Sequence, residues 1–318
     1  LNRVKTVPTG VSDYRSCMNN GFPKIILVAT ASPCNAKCPH CPCTVKPSIR
    51  KTEDKFFTFG NWLRLVDECA GQNTAIRMSG YGEPLLHPRF FELIEYGKKK
   101  NVRMSLITNG YLFTKSKIDR LIDLEIDSIE VSIDSHDRWI YARIRNGLIY
   151  ENTAKNLKYL VEARDAQKKK TCIMASIISQ PSRNPKILES AEYWSKIVDK
   201  VMIRKYVSWG VLPELDKPPK KKDRGACPYP YERLMIDPDG YFRLCPYDDQ
   251  KLIQPFGHIR ANSVESVWKG RRFVKIRKNH RNKKFSDTEL CSKCVDWMQR
   301  SWKENYHKAL EDAKCQMK

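Results

Sequence analysis

The chain has no long apolar run. Its longest, Ile25 to Ala29, falls far short of the roughly 20 residues needed to span a bilayer. No charged n-region with a cleavage site precedes that run, which argues against a secretory signal. The expectation is a soluble, cytoplasmic chain with no membrane partner. Acidic residues are also short: 36 Asp plus Glu stand against 58 Lys plus Arg, a net charge of +22 over 318 residues. There is no internal repeat. A chain of about two domains' length can bury a sizeable core, so it has no need of disulfides as a substitute. Twelve cysteines are nevertheless present. They cluster at Cys34, Cys38, Cys41 and Cys43 and again at Cys291 and Cys294, which in a reducing compartment reads as metal ligation.

The charge is less informative than its size. Its lysine runs, Lys98 to Lys100, Lys168 to Lys170 and Lys220 to Lys222, fall where helices should end or a linker should be exposed. That is the pattern of a solvated surface with cations matched to helix C-termini.

From Lys24 onward, short β-branched runs alternate with longer stretches of helical period, the arrangement of a parallel sheet with crossover helices. The expected strands are Lys24–Thr30, Ala75–Ser79, Arg103–Thr108, Ser128–Ile133, Thr171–Ile178 and Lys200–Tyr206. The expected helices are Trp62–Gly71, Pro88–Lys99, Lys115–Leu124, Glu151–Gln167 and Asn184–Val198. Residues 1–23 form an N-terminal segment and 24–210 an α/β domain. Val211–Gly225, with its prolines and lysine run, reads as a linker, and 226–318 as a second, smaller α+β domain. That second domain should hold two short strands around the turn Asp237-Pro238-Asp239-Gly240, then a basic helix and a terminal helix.

Cys34, Cys38 and Cys41, spaced C-x3-C-x2-C, directly follow the first strand. Three thiolates can hold three irons of a cubane and leave the fourth iron open for chemistry. A structural zinc ion would instead need His40 or Cys43 as a fourth ligand.

The loop resembles the signature of the radical S-adenosylmethionine (radical SAM) enzymes, and the resemblance runs from Lys24 to about Trp209. It implies a partial (β/α)6 TIM-like barrel, with a catalytic 4Fe-4S cluster on Cys34, Cys38 and Cys41 and S-adenosylmethionine (SAM) on the open iron. Ser79-Gly80-Tyr81-Gly82-Glu83-Pro84 is similar to the family's Gly-Gly-Glu-Pro motif, with Tyr81 in place of a glycine. The resemblance implies that Gly80, Gly82 and Glu83 bind the methionyl amine and that Ser132 contacts the ribose. It also implies that Arg145 pairs with the methionyl carboxylate and that His40 packs on the adenine. Thr108-Asn109-Gly110 and Ser132-Ile133-Asp134 match the family in the expected order.

Cys227, Gly240 and Cys245, spaced C-x12-G-x4-C, resemble the opening of the SPASM and twitch extensions, which bind auxiliary 4Fe-4S clusters. Positions 300 and 304, where a full SPASM domain would have further cysteines, are Arg and Glu. The resemblance therefore implies one auxiliary cluster on Cys227, Cys245, Cys291 and Cys294. A zinc ribbon with the same four thiolates is the alternative. Full ligation would leave this cluster electron transfer or scaffolding.

Three functions compete. In the first, the 5′-deoxyadenosyl radical abstracts hydrogen from a small polar substrate such as an amino sugar or cyclitol in natural-product assembly. Asp134 or a tyrosine takes the hydroxyl proton in a dehydrogenation, or a cysteine such as Cys43 or Cys172 returns hydrogen in an epimerisation. The second is a maturase that epimerises or crosslinks a ribosomal peptide, although only 23 residues precede Lys24. The third is RNA binding or modification, motivated by the 17 basic against 7 acidic residues from Lys251 onward. The first is preferred, with flavodoxin or ferredoxin as external electron donor, and nucleic acid is not expected as a partner.

Overall fold

The computed structural model describes residues 21–180, 182–207, 224–248 and 253–294. Most of the expected linker, the N-terminal segment up to residue 20 and the expected terminal helix from 295 lie outside the described residues.

Six parallel strands form, each within two residues of its expected span. They are β1 (Ile25–Val28), β2 (Ala75–Met78), β3 (Arg103–Thr108), β4 (Ser128–Ser132), β5 (Cys172–Ser179) and β6 (Lys200–Lys205). Around them lie α1 (Pro42–Val45), α2 (Phe59–Cys69), α3 (Phe90–Lys99), α4 (Lys115–Asp123), α5 (Arg138–Ile144), α6 (Tyr150–Ala166) and α7 (Ile187–Ser195). α2 starts three residues before the expected Trp62 because Thr58 caps it, its hydroxyl accepting from the Asn61 amide at 3.3 Å. From that cap, Trp62, Leu65, Val66 and Cys69 form one buried stripe. α7 is shorter than expected. Asn184, expected to begin it, instead turns inward and donates from Nδ2 to the Asp134 carbonyl at 2.8 Å. α5 was not expected: seven residues are too few to show an apolar period, and its start depends on Asp137 accepting from the Trp139 and Ile140 amides.

The sheet must curve. Its order is β6-β5-β4-β3-β2-β1-β7-β8, so β1 and β5 stand four places apart, about 19 Å in a flat sheet. Yet Ile25 and Leu27 of β1, with Ala29 just beyond it, share one buried cluster with Cys172 and Met174 of β5. Likewise Glu130 of β4 bonds both Arg77 of β2 and Arg204 of β6. These alternate positions line an inner face, while the others, such as Ile26, Val28, Ile76, Met78, Ile129 and Val131, join the larger core under the helices. The result is a partial barrel with a filled outer layer and a mixed polar and apolar interior.

The second domain comprises α8 (Tyr229–Glu232), β7 (Arg233–Ile236), β8 (Phe242–Arg243), α9 (Val264–Trp268), α10 (Arg271–Arg281) and α11 (Glu289–Lys293). β7 and β8 form the expected hairpin, closed by the Tyr241 amide donating to Asp237 Oδ1 at 2.9 Å. β7 also pairs in parallel with β1, from Ile25 opposite Arg233 to Val28 opposite Ile236. The hairpin thus extends the barrel's own sheet. It is fastened again at the turn, where the Asp54 amide donates to Asp239 Oδ1 at 2.9 Å.

Candidate active site and auxiliary cysteine pocket

The loop after β1 carries the first cysteine group. Cys38 is buried, Cys34 and Cys41 are half-buried, and no disulfide joins any of the ten described cysteines. Three connections hold the loop. The Lys37 amide donates to the Asn146 carbonyl at 2.8 Å, and the Glu83 amide donates to the Pro33 carbonyl at 2.9 Å. Asn109 Nδ2 donates to Asn35 Oδ1 at 2.8 Å.

The Gly80-Tyr81-Gly82 segment needs both glycines. Gly80 has φ +145°, and a Cβ there would lie 2.6 Å from the Ala29 Cβ. At Gly82 a Cβ would lie 2.2 Å from the Pro33 carbonyl oxygen, inside the connection to the cysteine loop. Tyr81, whose side chain departs from the family pattern, packs with Ile25, Leu27 and Cys43 in the inner cluster. Glu83 is buried and braces its neighbours. It accepts from Thr108 Oγ1 at 2.6 Å, the Asn109 amide at 2.8 Å and the Leu85 amide at 3.2 Å. Burial raises its pKa against the pull of those donors.

Arg145 and Asp134 form a buried pair through Arg145 Nε and Asp134 Oδ2. Burial alone would lower the pKa of Arg145, but the Asp134 charge raises it, so the guanidinium stays charged. Arg145 Nη1 lies 3.9 Å from Cys38 Sγ. Burial raises the Cys38 pKa, and Arg145 opposes that shift. The second oxygen of Asp134 accepts from the Ile178 amide at 2.6 Å. The role expected for Asp134, taking a substrate proton, needs an open oxygen, and both are engaged in a fully buried carboxylate. Its backbone adopts φ +49°, a conformation uncommon outside glycine, where β4 ends beside β5.

His40 is buried, and burial together with Arg145 lowers its pKa to about 4, so the ring is neutral. Its Nδ1 and the Nδ2 of Asn35 are buried polar atoms without a partner among the described residues. Two such atoms on the cysteine loop fit a polar cofactor lying against it. Ser132 is half-buried at the end of β4, level with Ser176 of β5. The structure brings Cys43, Cys172 and Cys41 into one apolar cluster. Cys172, however, opens β5 and sits four residues before Ser176, about 13 Å along the strand, whereas Cys43 is beside the cysteine loop.

In the second domain Cys227, Cys245, Cys291 and Cys294 all line one pocket, with Tyr229, Tyr247 and Leu290 around them. Burial and the neighbouring Cys227 and Cys294 push the Cys291 pKa up to about 12. Four thiols converging on one pocket are a donor set suited to a metal ion or an iron-sulfur cluster. Among the described residues no three His, Cys, Asp or Glu side chains close on a single metal ion. Zinc, about 2.3 Å from each sulfur, would draw them within about 3.8 Å of one another. Four thiolates are equally the usual ligand set of a 4Fe-4S cluster. Sequence reasoning missed His280. It accepts from the Cys227 amide at Nδ1 (3.2 Å), which leaves its proton on Nε2, 3.3 Å from Cys291 Sγ. Its inward position beside Phe273 and Ile276 in α10 was the available signal.

Residues 30–177 match the Radical SAM superfamily, and residues 227–295 match SPASM, an iron-sulfur cluster-binding domain. The chain belongs to the radical SAM superfamily and carries a SPASM-type domain. Enzymes of this radical SAM SPASM group use 4Fe-4S clusters and SAM, and this chain shares those cofactors. Among curated relatives it is 31% identical over 112 residues to the AdoMet-dependent heme synthase of Methanosarcina barkeri, covering 35% of this chain and 31% of that protein. It is 24% identical over 190 residues to the PqqA peptide cyclase of Granulibacter bethesdensis, covering 60% of this chain and 50% of that one. The chain therefore spans half or less of either relative. Among solved structures, BtrN in complex with AdoMet and 2-DOIA superposes with TM-score 0.59 at 17% identity, covering 85% of this chain and 92% of BtrN. SuiB of Streptococcus suis bound to S-adenosylmethionine gives 0.67 at 14%, covering 86% and 72%. At such identities the likeness is one of fold. No helix among the described residues is long and apolar enough to cross a membrane.

Proposed function

We propose that this radical SAM enzyme abstracts hydrogen from a carbinol carbon of a small polar substrate, such as an amino sugar or cyclitol, in dehydrogenation or epimerisation. The observation that carries this reading is the mixed lining of the barrel interior. Ser132, Ser176, Glu130 and Arg204 supply polar groups there, and Ile25, Leu27, Met174 and Met235 lie among them as apolar ones, Met174 directly opposite Glu130. A polyol ring offers hydroxyls to the polar groups and C–H bonds to the apolar ones. BtrN, which matches the chain nearly end to end, was solved with 2-DOIA as well as AdoMet.

In this reading Cys34, Cys38 and Cys41 hold the catalytic cluster and Cys227, Cys245, Cys291 and Cys294 the auxiliary one. A 4Fe-4S cluster and SAM held there would supply one electron for reductive cleavage of SAM to methionine and a 5′-deoxyadenosyl radical. The chain's own residues orient and enclose. Gly80 and Gly82 let the motif backbone press on the cysteine loop, and Asp134 holds Arg145 for the methionyl carboxylate. Ser132 would contact the ribose, and neutral His40 would pack on the adenine. Dehydrogenation would leave one substrate electron for the auxiliary pocket to take up; epimerisation would have Cys43 return a hydrogen atom.

Formation of 5′-deoxyadenosine is the test. A panel of amino sugars and cyclitols should raise it above the substrate-free rate, and no stimulation by any of them sinks the proposal. Iron and sulfide should fall from eight of each to four in a Cys34/Cys38/Cys41 triple Ala variant. The second reading, peptide maturation, is favoured by the precursor peptide SuiA bound to SuiB and by the PqqA peptide cyclases. It is preferred instead if only a peptide stimulates cleavage.

A further inference from the structure

The basic helix α10 has no task in the reaction described so far. From Arg271 to Phe285 the sequence contains no acidic residue and eight basic ones. The helix divides them sharply. Phe273, Ile276 and His280 are buried, and Arg277 is tucked inward with its guanidinium over the Trp268 ring at 4.0 Å. Arg271, Lys275 and Lys278 lie at i, i+4 and i+7 on the opposite face and are exposed, with the exposed Val274 beside them. None of the three cations has an ion-pair partner among the described residues.

The buried face of the same helix touches the auxiliary pocket through His280, which reaches both Cys227 and Cys291. Lys278 therefore lies about one helix diameter, about 10 Å, across from His280, and Lys275 and Arg271 lie about 7 and 13 Å farther along the axis. Unpaired cations at this spacing steer an acidic partner and set its orientation more than they add affinity.

We propose that the Arg271–Lys275–Lys278 face is the docking surface for an acidic electron-carrier protein that exchanges one electron at a time with the auxiliary cluster. This rests on the electron-transfer reading of the auxiliary pocket. It accounts for the position of the stripe, which would be indifferent if the charge served solubility alone. Oxidation of substrate leaves one electron at the auxiliary site, and the docked carrier removes it, becoming reduced by one electron. A nucleic acid would use the same charges without regard to the cluster behind them.

The test uses the full chain with both clusters reconstituted and an acidic flavodoxin as probe. Two variants carry the same change in net charge: Arg271→Glu/Lys275→Glu/Lys278→Glu, and a control on distant helices, Lys99→Glu/Lys155→Glu/Lys158→Glu. Flavodoxin affinity should fall at least tenfold in the first variant and less than twofold in the control. The wild-type affinity should weaken steeply with salt, and the stripe variant should lose most of that dependence. Equal affinities in all three proteins overturn the proposal. So does loss of binding to a short RNA in the stripe variant with flavodoxin affinity unchanged, which would assign the face to nucleic acid. If flavodoxin binds at the stripe but the auxiliary cluster stays at one oxidation state through turnover, the docking surface stands and the electron-transfer reading fails.

Discussion

Arg145 is held by one carboxylate. Its Nε is bonded to Asp134, whose other oxygen is fixed by the Ile178 amide, so the guanidinium is aimed at the cysteine loop before any cofactor arrives. Asp134→Asn leaves a buried cation without its counter-charge, a change that costs about 3 kcal/mol where such pairs are broken. The expected outcome is a lower melting temperature together with at least tenfold weaker SAM binding, read by equilibrium dialysis; full SAM affinity in the variant would detach Asp134 from this task. Glu130 makes a prediction in pH. Burial would raise its pKa, but Arg204 and Arg77 prevail and hold it at about 2, below the ordinary 4.5. Unfolded chains therefore bind more protons at Glu130 than folded ones between those values. Its contribution, about 3 kcal/mol, is whole above pH 4.5 and is lost as pH falls toward 2. Urea unfolding of the iron-free chain from pH 6 to 3 should show stability dropping at the acid end, and Glu130→Gln should flatten that limb. The partners of these residues were not legible in the sequence. Arg145 and Asp134 were each picked out by motif, but Arg77, Glu130 and Arg204 carried no motif, because their meeting depends on three strands curving toward one point.

Among the elements, the alternation of hydrophobic runs with helical stretches was enough to locate all six barrel strands. Helix ends were less legible where a side chain other than the apolar stripe decides them, as Thr58 does for α2 and Asn184 for α7. The glycine motif shows how two loops depend on each other. Gly82→Ala puts a methyl 2.2 Å from the Pro33 carbonyl oxygen, which neither backbone can yield without separating the motif from the cysteine loop. Overpacking of this kind costs about 1–3 kcal/mol. The variant is expected to melt earlier and to lose SAM binding while keeping auxiliary iron; intact SAM affinity measured in the same preparation would show that the loops can part without harm. The hairpin of β7 and β8 was expected from its turn residues, whereas the pairing of β7 with β1 was not, since a strand of four residues does not specify a neighbour two hundred residues away.

On the scale of the whole molecule, that pairing makes the two domains one sheet. A chain ending before residue 224 would leave the edge of β1 open beside an uncovered inner face, the arrangement that promotes strand-to-strand association. Truncation at residue 223 is therefore expected to yield aggregated or oligomeric material on size-exclusion chromatography, and a stable monomer would show that the barrel stands without the hairpin. The large positive charge likewise took its meaning from placement, since on α10 it lies on the face opposite the one that meets the auxiliary pocket. The sequence by itself determined the family, the parallel sheet and the two cysteine groups, because ligand spacing and hydrophobic period are local properties of a chain. Only the tertiary structure decided that Asp134 holds Arg145, that His280 reaches two auxiliary cysteines, that Cys172 shares the inner cluster with Tyr81, and that β7 closes onto β1. Each of these is a contact between distant segments, set by sheet curvature and side-chain direction, and neither is written in the spacing of residues along the chain.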